Sequence, residues 1–196
     1  WETGPDAPQL PALARSVGAF ALPTGSADSA LVADLPPGPY TVQITSAGGQ
    51  GGIGLAELYE IESVGRTVNL STRARVGTDD RVLIGGFVVA GPAHKRMLIR
   101  AVGPTLGTFG IGSALADPVL TIYAGGQVVA SNDRWGADPA AAATAVAAGR
   151  VGAFSLPAAS EDAALLVSVP PGAYTAEVRG KGGAEGVALL EIYESP

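Results

Sequence analysis

The alternation of apolar and polar side chains is clearest at 67–76, TVNLSTRARV. Val68, Leu70, Thr72, Ala74 and Val76 fall on one side of this stretch, and Asn69, Ser71, Arg73 and Arg75 on the other. A period of two predicts a half-buried β-strand. Gly77-Thr78-Asp79-Asp80 supplies turn chemistry, and RVLIGGFVVAG and KRMLIRAVG follow as further strands separated by Gly91-Pro92-Ala93-His94. Residues 104–116 carry mixed signals and read as a loop with a short helical turn, whereas VLTIYAGGQVVAS predicts a hairpin turning at Gly125-Gly126. One stretch reads as a helix, Pro139 to Ala148, with Asp138 as N-cap, proline at the first helical position and Gly149 as its stop.

The pattern then repeats itself. Shifted by 134 positions, Trp1 falls on Trp135, Val17-Gly18-Ala19-Phe20 on Val151-Gly152-Ala153-Phe154, Pro36-Pro37-Gly38 on Pro170-Pro171-Gly172, and Glu57-x-Tyr59-Glu60 on Glu191-x-Tyr193-Glu194. No gap is needed, and roughly two in five aligned positions are identical. Both copies share strand candidates near 16–22, 29–35, 39–46 and 52–61, and again 134 later. A helix at 6–14 is shortened or abolished by Pro8 and Pro11. The predicted fold is all-β: jelly-roll-like antiparallel β-sandwich repeats, one and a half units with a period of 134 and one short helix per unit. Residues 1–62 are the second half of a repeat, a half-sandwich in need of a partner, and 63–196 are a complete repeat of eight or nine strands.

The last strand of each copy, GIGLAELYEI and GVALLEIYES, is apolar on both faces, as in a strand inside a sandwich. Glu57 and Glu191 interrupt it. Each either meets a cation from the basic stretch, Arg100 or Arg96, or lies at an edge in water. The net charge of −6 and the isoelectric point near 4.7 argue against a nucleic-acid partner. Residues 1–62 hold one Arg against seven acids, residues 63–103 seven Lys/Arg against two, and residues 126–196 return to about −4. Such blocks either favour one packing arrangement or are simply solvated. With no cysteine there is no disulfide scaffold or thiolate chemistry. No run is long enough to span a bilayer, and Trp1 in place of Met suggests a processed product or a segment of a longer precursor.

Catalytic signals are sparse. His94 has no second histidine to join it, and the adjacent acids Asp79-Asp80 and Glu161-Asp162 are expected to point apart into solvent. Gly48-Gly49-Gln50-Gly51-Gly52 lacks the lysine and the strand-to-helix setting of a phosphate loop. No cofactor is implied, and an enzyme is not expected. Trp1 and Trp135 occupy equivalent positions, where they either form a sugar-stacking platform or cover the ends of their cores.

DPVLTIYAGGQVVASNDRW (117–135), followed by VPPGAYTAEVRGKGG and a closing apolar strand, resembles the bacterial pre-peptidase C-terminal domain over about 80–195. The first copy matches only its second half. Similar repeats occur in large exported bacterial proteins, so the resemblance implies an extracellular or cell-surface accessory module with a jelly-roll-like sandwich. Some relatives bind calcium, which makes Asn132, Asp133 and Asp138 candidate ligands, with Asp117 more distant. Calcium takes six or more oxygens, and turn-capping by Asn132 and Asp133 is the other reading.

Two functional readings follow. In the first the chain is a structural subunit or segment of an extracellular filament or surface array, its partners copies of itself or neighbouring repeats, joined head-to-tail by strand or half-domain complementation. Contacts of the orphan half are then Phe20, Leu31, Tyr40, Leu55 and Tyr59, with Val82, Ile84, Leu98 and Ile99 opposite. In the second it is a monomeric secreted module that binds polysaccharide or protein.

Overall fold

The computed structural model describes residues 1–61 and 67–196, and the chain divides into two compact units, Trp1–Thr67 and Val68–Pro196. The boundary expected at 62/63 lies outside the described residues.

The second unit is a β-sandwich. Its strands are β1 (Asn69–Val76), β2 (Leu83–Val89), β3 (Lys95–Val102), β4 (Pro118–Ala124), β5 (Gln127–Asn132), β6 (Ala163–Val169), β7 (Gly172–Gly180) and β8 (Gly186–Glu194). They form two four-stranded sheets, ordered β1-β8-β3-β6 and β2-β7-β4-β5, with every pairing antiparallel. The order alternates. β6, β7 and β8, which follow the helix, never pair with one another; each is held by strands that precede it. Between the sheets lie Ile99, Leu120, Ile122, Val178, Leu190 and Ile192, each almost wholly buried and each worth about 1.5–3 kcal/mol of burial. Tyr174 stacks on Phe87 with ring centroids 5.2 Å apart, its hydroxyl donating to Pro170 O at 2.8 Å.

Helix α2 (Ala141–Arg150) starts two residues later than the sequence suggests. Asp138 does not cap it through its side chain; its Oδ1 accepts from Ala140 N at 2.7 Å and so shapes the preceding turn. Gly149 does not stop it either. The chain leaves the helix at Gly152, whose φ of 73° is the left-handed conformation that glycine adopts without strain. The candidate strand at 150–156 is taken up by this exit, and residues 104–109 form the expected short helical turn.

In the first unit Pro11 sits in the first turn of an eight-residue helix, α1 (Leu10–Val17), where a proline is tolerated. Gly18 ends it at φ 77°. None of the four expected strands forms among the described residues of this unit. By the 134-residue shift these residues correspond to 135–195, the part of the second unit that holds β6, β7 and β8.

Candidate functional site

Ile99 and Ala101 of β3 point into the core, so Arg100 between them points to the opposite face of its sheet, in register with Glu191 of β8. Its Nε donates to Glu191 Oε2 at 2.8 Å and its Nη2 lies 2.6 Å from the same oxygen. Nη1 donates to the carbonyl of Phe154 at 2.6 Å, and the guanidinium lies over the Phe154 ring, 4.4 Å from its centroid. Glu191 Oε1 accepts from the Tyr193 hydroxyl at 2.8 Å. Arg100 is 1% exposed and Glu191 5%, so the sequence question is answered in favour of a buried ion pair. Burial, and then the hydrogen bond to the carboxylate, push the Tyr193 phenol well above its ordinary range. A cavity of about 90 Å³ beside the pair is lined by Arg100, Trp135, Thr144, Ala148, Leu156 and Ala164.

Asp162 corrects the expectation that it points into solvent. It is fully buried, and its carboxylate accepts from Gly103 N at 2.8 Å, from Thr105 N at 3.4 Å and from the Thr105 hydroxyl. Its carbonyl accepts from Trp135 N at 2.9 Å. One residue thus anchors the 104–109 turn and the tryptophan together. Its sequence signal was that Asp28 stands at the same place in the first copy. Glu161 does face outward, to Arg134 at 2.6 Å.

The two copies keep the same local bonds. Trp1 Nε1 donates to Pro23 O at 3.2 Å as Trp135 Nε1 does to Pro157 O at 3.1 Å. Trp1 N reaches Asp28 O, Ser26 N reaches Pro23 O and Ala19 N reaches Ala14 O, each as its counterpart does in the second copy. Tyr40 donates to Pro36 O at 2.6 Å, and Tyr59 to Glu57 Oε1 at 3.1 Å, matching Tyr174 and Tyr193. The apolar positions are kept as well, yet their surroundings differ. Leu31 is 78% exposed where Leu165 is 8%, Val42 73% where Ala176 is 0%, and Ile44 61% where Val178 is 0%. Phe20, Leu35, Tyr40, Leu55, Leu58 and Tyr59 are also exposed.

Of the residues expected opposite them, Ile84 is exposed and Val82 is half-buried. Leu98 and Ile99 are not available to a partner: both are fully buried, facing Leu166 and Leu165 of β6 in their own unit. The basic stretch pairs inside its unit too, through Arg75 and Arg81 to Glu185, Lys95 to Glu194, and Arg100 to Glu191.

Trp135 is buried and its indole N–H is occupied, which removes it as an open sugar platform, while Trp1 is half-buried. Asn132 and Asp138 come together, Nδ2 to Oδ2 at 3.4 Å, while Asn132 Oδ1 accepts from Ala164 N at 3.1 Å. Asp133 turns instead to Lys181 at 2.6 Å, whose hydrogen bond holds its carboxyl below the usual range. Among the described residues no three His, Asp or Glu side chains are grouped to hold a metal ion. His94 is exposed in the turn between β2 and β3. No described helix is long and apolar enough to cross a membrane.

The fold and these sites define an antiparallel β-sandwich in Val68–Pro196, preceded by residues whose sequence repeats that of 135–195. A solved structure similar to this chain is the pre-peptidase C-terminal domain of the collagenase from Bacillus anthracis, at 13% identity and a TM-score of 0.38, covering 64% of this chain and 89% of that chain. It belongs to the family that the residue pattern resembles. No protein-family model matches the chain, and no curated protein matches it.

Proposed function

We propose that the chain is a non-catalytic structural segment of an extracellular bacterial filament or surface array, joined to its neighbours head-to-tail by half-domain complementation. The observation that carries this reading is the pair of copies in two states: the same core positions are packed in 163–194 and laid open in 29–60. A run of exposed leucines, valines and tyrosines at alternate positions is what a strand presents to a partner sheet. The resemblance to modules of exported proteins supports the extracellular setting.

The test extends the chain after Pro196 with a further copy of its own residues 63–134, so that each molecule carries one half-sandwich at either end. Negative-stain microscopy is expected to show linear rods, with the unextended chain remaining as short particles. Discrete monomers of the extended chain at high concentration would sink the assembly reading.

A further inference from the structure

We propose that residues 1–61 receive the first half of a further repeat, five strands of the β1 to β5 pattern, and that Phe20, Glu57 and Tyr59 select it by taking an arginine in the Arg100 register. This rests on reading 1–61 as half a sandwich; it does not depend on polymerisation.

The topology states what the half lacks. β8 lies between β1 and β3, β6 lies beside β3, and β7 lies between β2 and β4. The equivalents of β6, β7 and β8 can therefore enter sheets only by interleaving with those first-half strands. The first-half strands within 1–196 are already interleaved with 163–194 and are not open to 1–61. Lending them to a neighbour would strip their own unit and expose a core as large as the one they cover.

The side chains state what the partner brings. In the complete unit, Glu191, Tyr193 and Phe154 surround one guanidinium: a carboxylate oxygen, a carbonyl oxygen and a ring face, with Tyr193 on the second carboxylate oxygen. Glu57, Tyr59 and Phe20 are the same residues in the other copy. The Tyr59 to Glu57 bond is already made, and no described cation faces Glu57. Residues 1–62 carry one Arg against seven acids, and the first half of a repeat begins with a stretch of seven Lys/Arg against two acids. The arginine acts as a register key. A slip of one residue along the strand turns it to the opposite face and leaves a buried carboxylate unmatched.

The test places a copy of residues 68–134 directly before Trp1 in the full chain, which restores the repeat without a gap. Amide hydrogen exchange of 29–35, 39–46 and 52–61 is the readout, with 163–194 as an internal folding control. In the extended chain protection of these segments is expected to rise by at least about 100-fold over the unextended chain. Glu57→Gln, or Arg100→Ala in the added copy alone, is expected to lower it again by on the order of 100-fold. Either change leaves 163–194 protected. Replacing both partners, Glu57→Leu with the added Arg100→Leu, is expected to restore protection, because a buried pair exchanged for apolar side chains leaves no unmatched charge. The proposal is overturned if the extension leaves 29–61 unprotected while 163–194 is folded. It is equally overturned if protection is indifferent to both single changes, or if the unextended chain alone protects 29–61.

Discussion

Replacing Arg100 with methionine tests how much the second unit depends on its buried pair. The substitution keeps most of the side-chain volume but leaves Glu191, 5% exposed, with the Tyr193 hydroxyl and no cation. It also removes the donor to Phe154 O and the contact with the Phe154 ring. Breaking one side of a buried pair costs about 3–5 kcal/mol, and the charged hydrogen bond to Phe154 is partly the same energy, so a loss of about 4 kcal/mol is expected. For a domain of this size that is a fall in Tm of about 12–20 °C. The assay is urea unfolding followed by Trp135 fluorescence in a Trp1→Phe background, so that the signal comes from Val68–Pro196 alone. Arg100→Met combined with Glu191→Leu is expected to recover to within about 1 kcal/mol of the parent, since packed apolar groups replace a desolvated pair with little net change. A loss below about 1 kcal/mol in the single variant would refute the reasoning, because the pair would then be behaving as a hydrated surface contact. Simple addition of the two single losses in the double variant would refute it too.

Two further outcomes follow from backbone space and from titration. A Cβ on Gly103 would stand 2.1 Å from Leu115 O, so Gly103→Ala should destabilise the second unit by about 3 kcal/mol or more, whereas Gly149→Ala, in open space in the last turn of α2, should stabilise it by about 0.5–1 kcal/mol; the same urea assay separates them. Tyr193 holds its proton more tightly folded than unfolded, so its contribution is complete below its ordinary value of 10.0 and is lost as pH climbs toward the folded value; the unfolding midpoint should therefore fall between pH 10 and about 12, and fall less in Tyr193→Phe.

The strands of the second unit were legible as elements, since TVNLSTRARV became β1 and the Gly125-Gly126 turn joins β4 to β5, but the half-buried face expected of β1 did not follow: Val68, Leu70 and Ala74 are exposed and only Val76 is buried. Glu191 was legible as a question, since a carboxylate on an otherwise apolar strand needs an explanation, but its answer required β3 beside β8. Asp162 was misread because two adjacent acids look alike in sequence, while in the approach to β6 Glu161 turns outward to Arg134 and Asp162 inward to the backbone of 103–105. The strands of the first unit were misread for a different reason. Periodicity records what a segment would bury once it has neighbours, and it is blind to whether the neighbours are there. Leu98 and Ile99 were assigned to a partner for the same reason: an apolar run does not say which chain segment claims it.

The interleaved strand order also bears on when this protein can fold. Because β6, β7 and β8 each need a strand from far upstream, sheet formation must wait until both halves of a unit have met, while the Tyr174 to Pro170 bond closes over four residues and the Trp135 to Pro157 bond over 22, both inside the second half. Residues 1–61 hold the matching contacts within their own half and, among the described residues, no strand pairing. If a first half is supplied to them as proposed above, joining that neighbour and completing the sheets of 29–61 are one and the same step.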